Sequence, residues 1–379
     1  MKKNKTAELV LVLLILIVMS AGILILQNGM EKLQNVKQQS VYIPETRDLY
    51  NDYGLKNNQS LSKNKILETQ DQVIYTDRIF NINQISEDYI SYAADILKAL
   101  QKKTGKDTYI MPIPERAVFE SGYENEKEKY SDFTEKLKSS FSDPSVVLNP
   151  LSELEQHQDE YIYFRTANSW TMRGAFYGAQ VILGELGYDK ENLDAYREYV
   201  FGTFEGNLLL EALEKYTTDK IKKDIENMEK EPFYIYMNGS NPNREELTFE
   251  NKAGQLQTLK RQMIQFNSSG SNTVIGSDYD HSIVEGKGKG QIKGNLLLIA
   301  DTRGKMMISY LSEIFEKVYV SNIYEDVDLI QNLDEILEKY NIEYVIWAQD
   351  VAETGNRSYM KALNPLLKEG GVSDVGTDP

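Results

Sequence analysis

The stretch NLLLIADTRGK, Asn295–Lys305, decides how this chain folds. Leu296 to Ala300 form an apolar run with no polar alternation, the pattern of a strand buried on both faces. The run stops at Asp301 and Thr302, and a helix is expected from about Lys305 to Phe315. Such a strand needs helices on both sides, which implies a parallel sheet. Its carboxyl end is also where ligands bind in open α/β sheets, because the next helix presents free N–H groups and its positive dipole end there. Asp301 and Thr302 lie at that turn. A plainer role fits the spacing equally well: Asp or Thr caps the helix and Gly304 eases the turn.

The same alternation extends in both directions. Upstream, Ile85–Leu100 has apolar residues at helical spacing, followed by the strand DTYIMPIP (Asp107–Pro114), a charged helix over about Glu124–Phe141 and a short strand SVVLNP. A helix over Leu151–Gln156 leads to a strand YIYF (Tyr161–Phe164), then a helix from Thr171 to about Leu186 with Gly187 as its cap. FYIYM (Phe233–Met237) reads as a strand, and Asn267–Gly290, rich in Ser, Gly, Asn and Lys, as loop or hairpin. KVYVSN, a helix over about Asp328–Tyr340 and the strand EYVIWA complete the pattern. The expectation is a three-layer α/β/α domain with a mainly parallel sheet over residues 73–365, and a tail over 366–379.

The chain has 379 residues, no cysteine and a formal net charge of −16. The missing cysteines exclude disulfides, thiol catalysis and Cys-ligated zinc. The negative charge argues against nucleic acid as a partner. No cofactor and no metal site is expected. Lys2, Lys3 and Lys5 precede the uncharged run Leu9–Leu26, which at 1.5 Å per residue nearly crosses a hydrocarbon core of roughly 30 Å. The expectation is a cytoplasmic tail (1–8), a single membrane anchor (9–27), an extracytoplasmic linker (28–72) and an outer domain at the cell membrane. A cleaved signal peptide ending near Val18-Met19-Ser20 is the alternative. GKGKG (Gly286–Gly290) precedes a strand rather than joining a strand to a helix, so it lacks the mechanism of a phosphate loop.

A second stretch, YFRTANSWTMRGAFYGAQ (Tyr163–Gln180), places polar residues directly before a helix. LLLIADTRGKMM resembles the strand and elbow of SGNH-type hydrolases and transferases, whose pattern is Asp-Ser. Tyr163–Gln180 resembles the signature of the DHHW family, which reads Tyr-Arg-Thr-Asp-His-His-Trp-Thr followed by a helix opening Gly-Ala. These are exported or membrane-anchored SGNH-like proteins related to the alginate O-acetylation proteins. Tyr163, Arg165, Thr166, Trp170, Thr171, Gly174 and Ala175 keep the frame, and the resemblance runs from about Asp77 to Ala348.

The resemblance implies an SGNH-like (flavodoxin-like) fold and a serine nucleophile after the elbow aspartate, with an Asp and a His in the signature. There the hydroxyl attacks, the imidazole takes its proton and the aspartate orients the imidazole. In this chain Thr302 holds the nucleophile position, Ala167 the aspartate position, and Asn168 and Ser169 the two histidine positions. Ala167 orients nothing, and Asn168 and Ser169 are not bases near neutral pH. VIGSDYDHSIV (Val274–Val284) resembles the family's Gly-Gly-Asn-His-Pro segment, which supplies oxyanion-hole groups. Gly276 matches, while Asp278 or Asp280 takes the asparagine position, and a carboxylate there would repel an oxyanion. His157 is expected at the surface.

The functional expectation is a degenerate relative of an O-acetyltransferase that binds a polysaccharide or glycan and assists its acetylation. The resemblance implies a multi-pass membrane-bound O-acyltransferase as partner. Two alternatives remain: an active O-acetyltransferase or esterase with a rebuilt Thr302–His281–Asp280 set, and a structural or assembly factor of the envelope.

Overall fold

Why the centre of this molecule is a parallel sheet follows from three neighbouring apolar runs in the computed structural model. It describes residues 61–228, 231–237, 247–250, 256–259, 280–285 and 292–369. In chain order, β1 (Lys65–Glu68), β2 (Gln72–Tyr75) and β3 (Ile79–Asn81) form a small antiparallel sheet. β1 and the first residue of β2 therefore fall within the stretch read as linker. There follow α1 (Tyr89–Thr104), β4 (Asp107–Ile113), α2 (Glu124–Ser139), α3 (Leu151–Glu155) and α4 (Met172–Glu185). Next come β5 (Arg197–Phe204), α5 (Asn207–Lys215), α6 (Asp219–Glu226), β6 (Glu231–Met237), β7 (Leu247–Glu250), β8 (Leu256–Leu259) and β9 (His281–Glu285). The last part holds β10 (Asn295–Ala300), α7 (Thr302–Lys305), α8 (Ile308–Ile314), β11 (Lys317–Asn322), α9 (Leu329–Lys339), β12 (Ile342–Asp350) and α10 (Pro365–Glu369).

Among the described residues the main sheet has the order β4-β12-β10-β11-β9-β7-β8. Its first four strands pair parallel and the rest antiparallel. All six residues of β10 are buried, as a strand covered on both faces requires. Leu297 and Ile299 share one core with residues of α1, α2, α9 and α10, built around Trp347, Tyr130 and Phe133. On the other side α8 packs on β11 and against α4. The chain leaves β10 for β11 on one side of it and returns to β12 on the other. The carboxyl edge between β10 and β12 is therefore the switch point of the fold, where crevices form.

Several local expectations change. YIYF is not a strand. Tyr163 pairs only with Trp170 in an isolated bridge, and the chain turns back as Phe164 N–H donates to Ser169 O (3.1 Å) and Thr171 N–H to Ile162 O (2.9 Å). Its aromatic residues are buried individually as core filler, not as one pleated row. SVVLNP contributes a single parallel bridge, Ile110 to Val147, after a short 3₁₀ turn. Phe233–Met237 is a strand, but in a separate two-stranded sheet with β5. Within Asn267–Gly290, expected as loop or hairpin, residues 281–285 are a strand. The expected anchor over residues 9–27, Gly276 and Asp278 lie outside the described residues. Among those described, no helix is long and apolar enough to cross a membrane.

Candidate functional site

Asp301 closes β10 and caps α7. One carboxylate oxygen accepts from Gly304 N–H (2.8 Å) and the other from Asp350 N–H at the end of β12 (3.0 Å). Both oxygens are thus committed to holding the elbow on the sheet, and the capping role is real. The turn is so close to β12 that a Cβ on Gly304 would lie 2.6 Å from Ala348 O and 2.7 Å from Ala300 Cβ. Only glycine fits there. Thr302, the next residue, is exposed at the first position of α7.

Arg303 joins the elbow to the signature. It is buried, its Nε donates to Asn168 O (2.5 Å), and its carbonyl accepts from Trp170 Nε1 (2.9 Å). Its guanidinium is paired with Asp350, 3.7 Å from Asp301 and 4.0 Å from Glu115. One buried cation thus faces three buried carboxyl groups. Burial raises the Glu115 carboxyl above its usual range, and Arg303 and the Asn168 amide pull it back. Burial raises Asp301 likewise, opposed by Arg303 and the Gly304 N–H. Oε1 of Glu115 accepts no hydrogen bond. This is the edge at which a low dielectric makes unpaired charge costly.

The signature hairpin is held from its other end by Glu231. That buried carboxylate accepts from Arg165 N–H (2.6 Å), Thr166 N–H (2.8 Å), the Thr166 hydroxyl and the Tyr161 hydroxyl. The Thr166 hydroxyl oxygen accepts from Gly206 N–H (3.0 Å). Thr171 caps α4, and its hydroxyl donates to Tyr161 O (2.7 Å). Trp170 is fully buried. The frame residues Arg165, Thr166, Trp170 and Thr171 therefore act as fasteners of a loop whose tip is Ala167, Asn168 and Ser169.

That tip meets the elbow. Asn168 O is on Arg303, and the Ser169 hydroxyl lies 3.5 Å from Met306 Sδ and 3.2 Å from Trp170 O. Ala167 is buried. The structure thus brings Ala167, Asn168, Ser169, Asp301 and Arg303 together from distant parts of the sequence. His281 and Asp280 lie at the same carboxyl edge, two strands from the elbow: the register runs Ile299 to Ser321 to His281. His281 starts β9, separated from β10 by β11, and stacks on Tyr319 with ring centroids 5.3 Å apart. Asp280 O accepts from Asn322 N–H (2.8 Å). His157 is half-buried, not at the open surface: it stacks on Tyr177 and bonds Glu160 (2.7 Å). Among the described residues no group of three or more His, Cys, Asp or Glu can hold a metal ion.

Sequence reasoning missed Glu115, Arg303, Asp350 and Glu231. The one usable signal was Arg303 itself, a cation directly behind the elbow aspartate.

Solved structures share this fold. A DHHW family protein from Eubacterium siraeum DSM 15702 matches with TM-score 0.64 and 19% identity, covering 79% of this chain and 98% of that one. Bacillus cereus PatB1 with a sulfonyl adduct matches with TM-score 0.56 and 13% identity, over 76% and 96%. PatB1 without the adduct gives TM-score 0.53 and 15% identity, over 78% and 99%. No curated protein matches the sequence. The DHHW protein family, by contrast, matches residues 54–321, most of the chain and all of the elbow and signature just described, and this chain belongs to that family.

Proposed function

We propose that this DHHW protein is a single-pass, extracytoplasmic factor that assists O-acetylation or export of an envelope polysaccharide, and that its site binds glycan without serine-type acyl transfer. A multi-pass membrane-bound O-acyltransferase is the partner this reading requires. One observation carries it. The scaffold of the site is fully fastened, by Glu231 below and Arg303 beside it, while the positions that would take and hold the proton are Ala167, Asn168 and Ser169. Acyl transfer to a hydroxyl needs that proton removed as the bond forms, and a neutral Thr hydroxyl with no base attacks poorly. His281 is stacked on Tyr319, one strand beyond β11 from the elbow strand.

The test is hydrolysis of p-nitrophenyl acetate by the full chain beside its Thr302→Ala and His281→Ala variants. All three should sit near the buffer rate, because losing a triad removes most of a rate enhancement of about 10⁶. Turnover by wild type well above Thr302→Ala would overturn the reading and make Thr302 a nucleophile. The topology is checked separately: protease added to intact, wall-stripped cells should digest the outer domain, and full protection until lysis rejects the anchor.

A further inference from the structure

Outside β4, the end strand of the main sheet, a groove of 770 Å³ runs between the C-terminal turns of α2 and α4. We propose that it receives a segment of a partner protein that carries a lysine or arginine beside apolar side chains. Its floor is apolar: Val147 and Leu148 are buried beneath it, and Phe141, Pro144 and Val181 line it. The floor is tied to the sheet, because Val147 bridges Ile110 of β4 and Leu148 N–H donates to Ile110 O (2.8 Å). The polar group at the floor, Asn149, is already used. Its Oδ1 accepts from the Tyr130 hydroxyl (3.1 Å) and Leu151 N–H (3.0 Å), and its Nδ2 donates to the Thr134 hydroxyl (3.3 Å). Contact with the floor is therefore apolar, and the walls supply the selectivity.

The walls are not balanced in charge. On α2, Lys138 is paired with Glu135 (2.9 Å), and Lys98 of α1 lies over the Phe141 ring, 5.5 Å from its centroid. On α4, Glu185 is exposed and has no hydrogen bond or ion pair among the described residues. Asp107 and Asp143 are exposed too, and neither has an ion pair among the described residues. Asp143 only caps the short turn at Pro144, accepting from Ser145 N–H (3.0 Å). These three carboxylates surround one phenol: burial, then Asp107 and Glu185, then Tyr344 and Asp143, push the Tyr109 hydroxyl of β4 up to about 12. Glu185 is also the last residue of α4, whose final turn holds no basic residue. A helix C-terminus disfavours a carboxylate and favours a cation. An ammonium or guanidinium brought by a partner satisfies both the carboxylate and the helix end. A second copy of this chain is the wrong occupant, because a net charge of −16 repels itself. A free polyamine would use the charges and leave the apolar floor in water. None of the lining residues belongs to the elbow site, and the groove does not depend on the function proposed above.

The experiment is fluorescence anisotropy of a labelled peptide, Leu-Lys-Phe-Lys-Leu, titrated with the full chain in detergent. Its counterpart Leu-Glu-Phe-Glu-Leu is run beside it. The basic peptide should bind about tenfold more tightly, and the preference should shrink as salt rises. Glu185→Lys reverses an exposed charge and should weaken the basic peptide about tenfold at an unchanged melting temperature. Val181→Ser removes part of the floor and should weaken the basic peptide several-fold, with the melting temperature checked in parallel. Glu214→Lys, exposed on α5 and outside the groove, makes the same change in net charge and should bind like wild type. Equal binding of the two peptides, or no binding of the basic one, would overturn the proposal. So would an equal loss in Glu185→Lys and Glu214→Lys, which would mean attraction to the overall charge. Full displacement of the peptide by spermine, together with unchanged binding to Val181→Ser, would make the groove a polyamine site and overturn it as well.

Discussion

Adjacent residues Glu115 and Arg116 belong to two buried ion clusters of opposite make-up. Around Glu115 one guanidinium, Arg303, faces the carboxyl groups of Asp301, Asp350 and Glu115. Around Arg116 two guanidinium groups share Glu120, with Asp77 on the outer side of Arg78. A cluster rich in carboxyl groups can lower its charge by taking protons, so its energy depends on pH. A cluster rich in arginine cannot, because guanidinium does not lose its proton in proteins. It is already balanced, because Glu120 and Asp77 stand against its two guanidinium groups. The first cluster therefore holds the elbow and hairpin together, and the second ties Arg78 and Arg116 through Glu120 to the hairpin backbone at Phe164 O.

Arg303→Met should produce the largest effect. It removes the guanidinium from three buried carboxyl groups and leaves Lys305 as a buried cation acting on Asp301, a loss of about 3–5 kcal/mol by the usual cost of breaking a buried pair. Urea unfolding should show it most clearly at pH 8. Burial already holds the Asp301 and Glu115 carboxyls above their usual range. The folded state therefore takes up protons more readily than the unfolded chain as pH falls. Stability contributed in this way is present at low pH and lost as pH rises through the raised folded values. The variant should accordingly recover part of its loss at pH 5. An equal loss at both pH values would break the contrast between the clusters.

Glu120→Gln tests the other side. It leaves Arg78 and Arg116 with a neutral amide in place of their shared anion, at a cost of about 2 kcal/mol. The cost should not relax at pH 5 in the way expected of the Arg303 variant, because no guanidinium titrates between pH 5 and 8.

The sheet could be read from the chain because its signal is local. NLLLIA is a nearly continuous apolar run and KVYVSN has an apolar centre, and they are β10 and β11 over the expected residues. The elbow was legible for the same reason: Asp301 follows the strand directly and caps the next turn. The supports of the site were not legible because they join residues far apart in sequence. Trp170 reaches Arg303 across 133 positions and Thr166 reaches Glu231 across 65. No window of the sequence contains both partners, and Glu231 opens a strand, β6, whose remaining pattern says only that it is apolar. YIYF misled because aromatic residues favour strands yet also fill cores singly. His281 misled in the opposite way: the Ser- and Gly-rich composition around it concealed a strand that pairs with β11.

The smallest expected effect concerns a third kind of acid, one with no guanidinium beside it. Asp326 is 5% exposed and its Oδ2 accepts no hydrogen bond. Burial pushes its carboxyl up to about 6, with His281 opposing the rise and Asp280 and Asp328 adding to it. Its folded value lies above the ordinary 3.8. Its contribution to stability is therefore complete only below that ordinary value and is lost as pH rises through about 6. At pH 8 the ionised side chain works against the fold, whereas asparagine, close in shape to the protonated acid, does not. Asp326→Asn should therefore raise the melting temperature at pH 8 by about 2 °C, as expected for a gain near 1 kcal/mol in a domain of this size. Below pH 3.8, where Asp326 is protonated in both the folded and the unfolded chain, the two proteins should melt together. A gain of equal size at both pH values would mean that the substitution acts through packing or the unfolded chain. A loss at pH 8 would mean that the Asp326 carboxylate is held by a partner strong enough to offset its burial.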